Sequence, residues 1–147
     1  YECCLIWPQN KAMSKVIEDY IKNNQFGKHL DMEFKILAPG HIEYYLSTKK
    51  NLEAIEGMTH GGAIAGFMDG ILGMAALSEV ENENKLVATI EFKINYMKPV
   101  FTNEQLTGTG KVLQRGKSTL VVEGKIMCGD ELKVCALGTF KAYSNSN

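Results

Sequence analysis

The sequence lacks an excess of charge of either sign, because 16 lysine and arginine residues balance 17 aspartate and glutamate residues in a chain of 147. A net charge of -1 at pH 7 gives no electrostatic attraction to nucleic acid or to an anionic membrane surface. An uninterrupted apolar run of about 20 residues, which a membrane-spanning helix requires, is also absent. We therefore expect a soluble protein that binds neither nucleic acid nor membrane.

Motifs of several catalytic and metal-binding classes are also missing. There is no C-x-x-C pair, and the three histidines, His29, His41 and His60, stand apart, so no metal site is predicted. The nucleophile pattern Gly-x-Ser-x-Gly does not occur. Residues 110–118 resemble a phosphate-binding loop, but Lys111 occupies a position where that motif requires glycine, and the segment lies in a predicted hairpin. Nucleotide hydrolysis by such a loop is therefore rejected.

Cysteine usage indicates a reducing compartment. The four cysteines include the adjacent pair Cys3 and Cys4, followed much later by Cys128 and Cys135, and no signal peptide is recognised. This arrangement does not resemble the disulfide framework of a small secreted domain. We expect reduced thiols and a cytoplasmic location.

Apolar periodicity divides the chain into helices and strands. Residues 10–26 carry apolar side chains at helical spacing, which predicts an amphipathic surface helix that ends in the stretch from Asn23 to Gly27. Residues 32–36 and 42–46 alternate in polarity around Pro39-Gly40, which predicts a hairpin. Strands joined by short turns, which predict an antiparallel meander, are expected over residues 86–99, 104–115, 118–127 and 131–143. With no repeat and no linker, residues 1–147 are predicted to form one α+β domain.

Residues 57–78 are predicted to form a central helix enclosed by this sheet. After Thr59 and His60 the segment is apolar or glycine on every face, a pattern typical of a buried helix. Its interior contains Gly66, Gly70 and Gly73, each of which costs about 1 kcal/mol relative to alanine. Such a cost favours neighbouring backbone that packs very close to the helix.

One acid interrupts the helix. Asp69 is the only charged residue between His60 and Glu79, and a carboxylate without partners is costly to bury. The residues alone leave two interpretations open. Asp69 either has a structural role, at a kink, an edge or a hydrogen-bonded packing position, or it is the base or nucleophile of a hydrolytic site.

The start of the helix offers the second half of such a site. Gly61 and Gly62 leave backbone N–H groups uncovered by side chains, where the helix dipole would stabilise a carbonyl oxygen that acquires negative charge. His60 is predicted to cap this end or to orient a substrate. Gly62 and Asp69 are about 10 Å apart along one helix, too far to contact one small carbonyl group. A two-fold dimer, with the helix start of one subunit facing Asp69 of the other, resolves this difficulty.

The strand after the helix has one face that can pack on it. Thr89 belongs to the opposite set of side chains and is predicted to point away from the helix, toward solvent or an interface. The face predicted to pack on the helix consists of Leu86, Ala88, Ile90, Phe92, Ile94 and Tyr96.

The run from Thr59 to Gly62, with Asp69 nine residues after the histidine, resembles the motif of the PaaI-like hotdog-fold acyl-CoA thioesterases. Residues 96–100 and 138–140 extend the resemblance over about the last ninety residues. It implies the hotdog fold, a curved antiparallel sheet wrapped around a central helix. It further implies a homodimer, often paired into a homotetramer, and hydrolysis of acyl-CoA, in which coenzyme A is part of the substrate and no separate cofactor is needed.

The resemblance also implies roles for individual residues. Asp69 would activate water or attack the thioester, and the Gly62 amide would polarise its carbonyl. Thr89 would orient the water, and His60 would line the site beside Gly61. Candidate phosphate partners of coenzyme A are Lys98, Arg115 and Lys117.

The sequence departs from the family pattern at one position. Many members carry an asparagine six residues before the histidine, where this chain has Ala54, and Asn51 lies three residues too early. Either Asn51 reaches into the site, or His60 and the helix start orient the carbonyl alone. Two other functions remain open: a non-catalytic acyl-CoA-binding module, and a hotdog hydroxyacyl-thioester dehydratase, whose histidine and acid pair this arrangement matches poorly.

Overall fold

The computed structural model describes residues 13–146 and has one long helix, α3 (Gly61–Val80), at its centre. Phe67, Met68, Ile71 and Leu72 on α3 are completely buried. The α+β class predicted from the sequence is confirmed. Cys3 and Cys4, and the first residues of the predicted helix 10–26, lie outside the described residues.

Short helices and eight strands surround α3. Two helices precede the sheet, α1 (Lys15–Asn23) and α2 (Gln25–His29), and two single 3₁₀ turns occur at Lys50–Leu52 and Glu81–Glu83. The strands are β1 (Glu33–Ala38), β2 (His41–Ser47), β3 (Glu53–Ile55), β4 (Met58–Thr59), β5 (Lys85–Tyr96), β6 (Gln105–Arg115), β7 (Thr119–Cys128) and β8 (Glu131–Ser144).

The first helix ends within the stretch 23–27 that the sequence predicts to end it. α1 stops at Asn23, and the Asn24 side chain accepts a hydrogen bond from Gly27 N–H, 2.9 Å away. Asparagine is a favoured N-cap because its side chain satisfies a backbone donor that the helix leaves free. The chain therefore turns at Asn24 into a second helix, α2, which the sequence analysis did not predict.

The sheet is antiparallel, but it is not the predicted meander. Its strand order is β1-β2-β6-β7-β8-β5, so β5 pairs with β8 at the far edge and β6 lies beside β2. The hairpin β1–β2 and the consecutive pairing of β6, β7 and β8 are confirmed. Residues 97–104 form a connection too long for a tight hairpin turn, which lets the chain cross from β5 to β6.

A β-bulge in β5 overturns the prediction that Thr89 points away from the helix. Phe92 and Ile94 pack against the core as predicted, but the register shifts between Thr89 and Glu91. A bulge inserts one residue and reverses the alternation beyond it. Ile90 is consequently 55% exposed, and the Thr89 hydroxyl reaches α3.

The closest approaches to α3 differ from those predicted. Aromatic rings, not backbone, lie against its glycines: a Cβ added at Gly66 would be 2.6 Å from the Phe26 ring, and one at Gly70 would be 2.9 Å from the Tyr44 ring. Close packing of backbone occurs instead at Gly110 on β6, where a Cβ would lie 2.8 Å from the α3 carbonyl oxygen of Ile71.

This difference predicts opposite effects of alanine at two glycines. Gly110→Ala is expected to lower the free energy of unfolding by about 1–3 kcal/mol, because the helix backbone cannot move aside. Gly73→Ala on α3, where the added Cβ would be 3.6 Å from Phe140, is expected to raise it by up to about 1 kcal/mol through helix propensity. Urea denaturation of both variants measures the two free energies of unfolding. An equal decrease in both variants would contradict the prediction.

The segment Gly61–Glu83 is long and apolar enough to cross a membrane, with a mean hydropathy of 1.4 in its most apolar window. The prediction that no such stretch exists is therefore wrong as far as composition is concerned. One aspartate among apolar residues leaves the mean hydropathy of the window high. The burial of α3 within the sheet identifies it as a core helix.

Candidate active site

The Asp69 carboxylate is held by a neutral donor. The Thr89 hydroxyl on β5 donates to Asp69 Oδ1 on α3 at 2.8 Å, and Asp69 is only partly buried. Within residues 13–146, Asp69 forms no ion pair and its Oδ2 accepts no hydrogen bond. The carboxylate is thus fixed in position and retains an oxygen that can accept a proton or attack a carbon.

Asp69 and Thr89 line an open cavity of about 440 Å³. Asp69 lies on its α3 wall, and Thr89 lies on its β5 wall. The other residues that line it belong to the region from α1 to the residue before β1, to α3, and to β5 and β8: Tyr20, Asn24, Phe26, Met32, Gly66, Gly70, Gly73, Leu77, Leu86, Val87, Phe140 and Tyr143.

His60 caps the start of α3. Its backbone is extended, and its Nδ1 accepts a hydrogen bond from Gly62 N–H at 2.7 Å. The capping role considered for His60 is therefore observed, and the expectation that the Gly62 N–H is uncovered is wrong. Because Nδ1 is the acceptor, the neutral imidazole carries its proton on Nε2. The Gly61 N–H has no acceptor among the described residues.

Tyr96 also contacts this helix start, a contact that the sequence analysis missed. Its hydroxyl donates to the Gly61 carbonyl oxygen at 2.9 Å, and desolvation raises its pKa. A second cleft, of about 300 Å³, lies here and is lined by Gly61, Ile64, Tyr96, Met97 and Lys98 among others. Nothing in the alternating pattern of β5 distinguished Tyr96 from an ordinary packing residue.

The two halves of the predicted site remain apart in one chain. Gly62 and Asp69 lie on the same straight helix, α3, about 10 Å apart along its axis. The two clefts share no residue among those that line them. A single subunit therefore does not bring the helix start and the carboxylate to one carbonyl group.

Asn51 lies close to the helix start along the chain. It is exposed in the 3₁₀ turn, and the next residue, Leu52, accepts a hydrogen bond from His60 N–H at 2.7 Å. Within residues 13–146 the Asn51 side chain makes no hydrogen bond, and Ala54 is exposed on β3. Participation of Asn51 stays a prediction.

The three cationic candidates lie in two places. Lys98 lines the cleft at the helix start and is paired with Glu131 at 2.8 Å. Arg115 forms an ion pair with Glu83, just beyond the opposite end of α3, and Lys117 is exposed in the turn that follows β6. The structure does not bring all three together.

The sequence analysis missed the residues of α1 and α2 that line the Asp69 cavity. Tyr20 and Asn24 are joined by a hydrogen bond of 2.9 Å, and Phe26 lies over Gly66. The spacing of Gly66, Asp69 and Gly70 on one helix face was a usable signal for a close neighbour there. It could not identify which segment supplies that neighbour.

Cys128 and Cys135 are free thiols. In the part of the chain that the structure describes, no group of three or more histidine, cysteine, aspartate or glutamate side chains is placed to hold a metal ion.

Residues 56–135, more than half of the chain, match the model of the thioesterase superfamily. A relative from Saccharolobus solfataricus, provisionally named an esterase, is 32% identical over 128 residues, which cover 86% of this chain and 89% of the relative.

Two solved structures share the fold. The PaaI protein from the phenylacetic acid degradation operon of E. coli has a TM-score of 0.80 at 18% identity, over 88% of this chain and 91% of its own. A thioesterase from Haemophilus influenzae has a TM-score of 0.79 at 19% identity, over 93% and 95%. The predicted hotdog fold is thereby confirmed. The matched family model, together with a central helix wrapped by an antiparallel sheet, shows that this chain belongs to the thioesterase superfamily.

Proposed function

We propose that this protein hydrolyses acyl-CoA thioesters to a free acid and coenzyme A, with Asp69 as general base or nucleophile. The observation that carries the proposal is the partly buried Asp69 carboxylate, hydrogen-bonded to Thr89 at the wall of an open cavity in a thioesterase-superfamily chain. A carboxylate held by a hydroxyl, with one oxygen free, suits proton abstraction from water or direct attack.

Either role gives a balanced reaction. As a base, Asp69 takes a proton from a water molecule, whose oxygen attacks the thioester carbon. The C–S bond then breaks, and the proton passes to the coenzyme A thiolate. As a nucleophile, Asp69 forms an acyl anhydride and releases the thiolate, and water then hydrolyses the anhydride. Thr89 positions the carboxylate in both routes.

The missing half of the site is proposed to come from a second copy of the chain. β5 is one of the two edge strands of the six-stranded sheet in the described part of the chain. Ile90, Tyr96 and Met97, on or just after β5, are 50–57% exposed. A long edge with exposed apolar side chains invites pairing with another strand. An antiparallel β5–β5 pair would extend the sheet across a two-fold axis.

The order of residues along β5 makes this pairing productive. Along β5, Thr89 contacts Asp69, and Tyr96 contacts Gly61 at the start of α3. In an antiparallel pair with its axis near residues 92 and 93, Tyr96 of one subunit would lie opposite Thr89 of the other. The helix start and its 300 Å³ cleft would then adjoin the 440 Å³ cavity of the partner subunit.

The helix start has three groups that can polarise the carbonyl. They are the Gly61 N–H, the Gly62 N–H, which binds His60 in this structure, and the Nε2–H of neutral His60. The positive end of the α3 dipole supports each of them. For coenzyme A, Lys98 lies at the cleft beside these donors, and Lys117 is exposed. A role for Arg115 would require it to leave its ion pair with Glu83.

Thiol release from a panel of acyl-CoA esters, measured with a chromogenic thiol reagent, tests the proposal. Catalytic release from at least one ester supports hydrolysis. A stable, uncleaved complex would instead indicate a binding module, and hydration of crotonyl-CoA without cleavage would indicate a dehydratase. The oligomeric state, measured by light scattering, tests the dimer or tetramer, and an active monomer would refute the composite site.

A further inference from the structure

One wall of the Asp69 cavity is formed by the α1–α2 segment, Lys15–His29. Phe26 lies against the α3 backbone at Gly66, where even a methyl group would clash with its ring. Tyr20 and Asn24 lie on the same wall. A group that enters past Asp69 therefore meets this segment when it extends away from the reacting centre.

Part of this wall is polar although its surroundings are apolar. The Asn24 amide donates to the Tyr20 hydroxyl oxygen at 2.9 Å while its own oxygen accepts from Gly27 N–H at 2.9 Å. Both ends of the amide are thus engaged, and its orientation is set. Neighbouring wall residues include Met32, Leu77 and others that offer no strong hydrogen-bonding group.

The Tyr20 hydroxyl keeps hydrogen-bonding capacity for the cavity. A phenol oxygen can make three hydrogen bonds, two as acceptor and one as donor. Asn24 uses one of the two acceptor positions, and within residues 13–146 the Tyr20 O–H donates to no acceptor. The donor and one acceptor position therefore remain. Burial raises the Tyr20 pKa, so the hydroxyl keeps its proton and can donate it in a hydrogen bond.

From this arrangement we infer that the protein prefers acyl groups that carry an oxygen at the end distant from the thioester, and that Tyr20, oriented by Asn24, recognises that oxygen. The inference rests on the proposed thioester hydrolysis. A hydrogen-bonding group in an acyl pocket discriminates against substrates that leave it unpaired. A hydroxyl or carbonyl oxygen is the chemical class that satisfies Tyr20.

The experiment compares matched substrates on the full-length protein. Butanoyl-, hexanoyl- and octanoyl-CoA are each assayed beside their ω-hydroxy counterparts. In at least one pair, the hydroxylated ester is expected to have a kcat/KM about tenfold higher. In Tyr20→Phe, the ratio for that pair is expected to fall to about one. A ratio measured within one variant does not depend on the fraction of protein that is folded.

Tyr45→Phe is the matched control. Tyr45 lies on β2, outside the residues that line the cavity, and its hydroxyl bonds Glu43. The same loss of a phenolic hydroxyl there is expected to leave the substrate ratio unchanged. Ratios near one for every pair in the wild type, or a preference that survives in Tyr20→Phe, would overturn the inference.

Non-hydrolysable thioether analogues of the same pairs separate this inference from the proposed hydrolysis. Calorimetry is expected to show tighter binding of the hydroxylated analogue to the wild type and equal binding of both to Tyr20→Phe. This result with no thiol release would refute hydrolysis and retain the recognition by Tyr20. Thiol release together with equal binding of both analogues would support hydrolysis and refute the recognition by Tyr20.

Discussion

Asp69→Asn is expected to lower kcat for thioester hydrolysis by about a hundredfold or more, with little change in the affinity for a non-hydrolysable substrate analogue. Asparagine has nearly the shape of aspartate and can still accept the Thr89 hydrogen bond, but it cannot abstract a proton from water or attack as a carboxylate. Steady-state kinetics together with calorimetry on the thioether analogue measure the two effects separately. Wild-type turnover in this variant would refute the assignment.

Two variants at Thr89 refine this prediction. Thr89→Val removes the hydroxyl that donates to Asp69 Oδ1 but keeps the side-chain shape, and it is expected to lower kcat about tenfold. Thr89→Ser retains the hydroxyl and is expected to keep most of the activity. If valine and serine lower kcat equally, the hydrogen bond has no part in positioning the carboxylate.

The second large effect is recovery of activity when two inactive variants are combined. Gly62→Pro removes one N–H at the helix start, and proline is tolerated in the first turn of a helix. By itself it is expected to lower kcat about a hundredfold, because it removes the Gly62 N–H and also displaces the His60 imidazole that this N–H holds, so two of the three polarising groups at the helix start are lost. Co-expressed with Asp69→Asn, it is expected to restore about a quarter of wild-type activity, because half of randomly formed dimers are mixed and each has one intact composite site.

Separate purification of the two variants, followed by mixing without exchange of subunits, is the control for this recovery. It is expected to show only the residual activities of the parents. Co-expressed protein that recovers nothing, while chromatography with two different affinity tags shows that mixed oligomers form, would indicate a site contained in one subunit.

Much of the fold was predictable because it depends on local periodicity. The all-round apolar character of residues 57–78 after His60 predicted the buried helix, and alternation predicted the hairpin β1–β2 and the strands β6, β7 and β8. The position of β5 was not predictable in this way. Pairing with β8 instead of β6 depends on long-range contacts, and alternation on one strand does not encode the identity of its neighbour.

The candidate site, like the fold, was predictable from the sequence only in part. The spacing of His60, Gly61 and Gly62 before Asp69 identified one helix with a donor-rich start and an acid two turns later. The contact between Asp69 and Thr89 depended on the bulge after Thr89, which reverses the face that alternation assigned. The sequence pattern of β5 contains no signal for that extra residue, so the predicted direction of the Thr89 side chain was wrong.

By itself, the sequence determined the central helix, the acid Asp69 in its interior and its glycine-rich start, because these depend on which residues are neighbours along one helix. Only the tertiary structure decided that His60 caps the Gly62 N–H, that Thr89 faces Asp69, and that Tyr20 and Asn24 form a polar wall of the Asp69 cavity. Each of these contacts depends on the geometry of a turn, a bulge or a distant segment, and such geometry is set by packing of the whole chain.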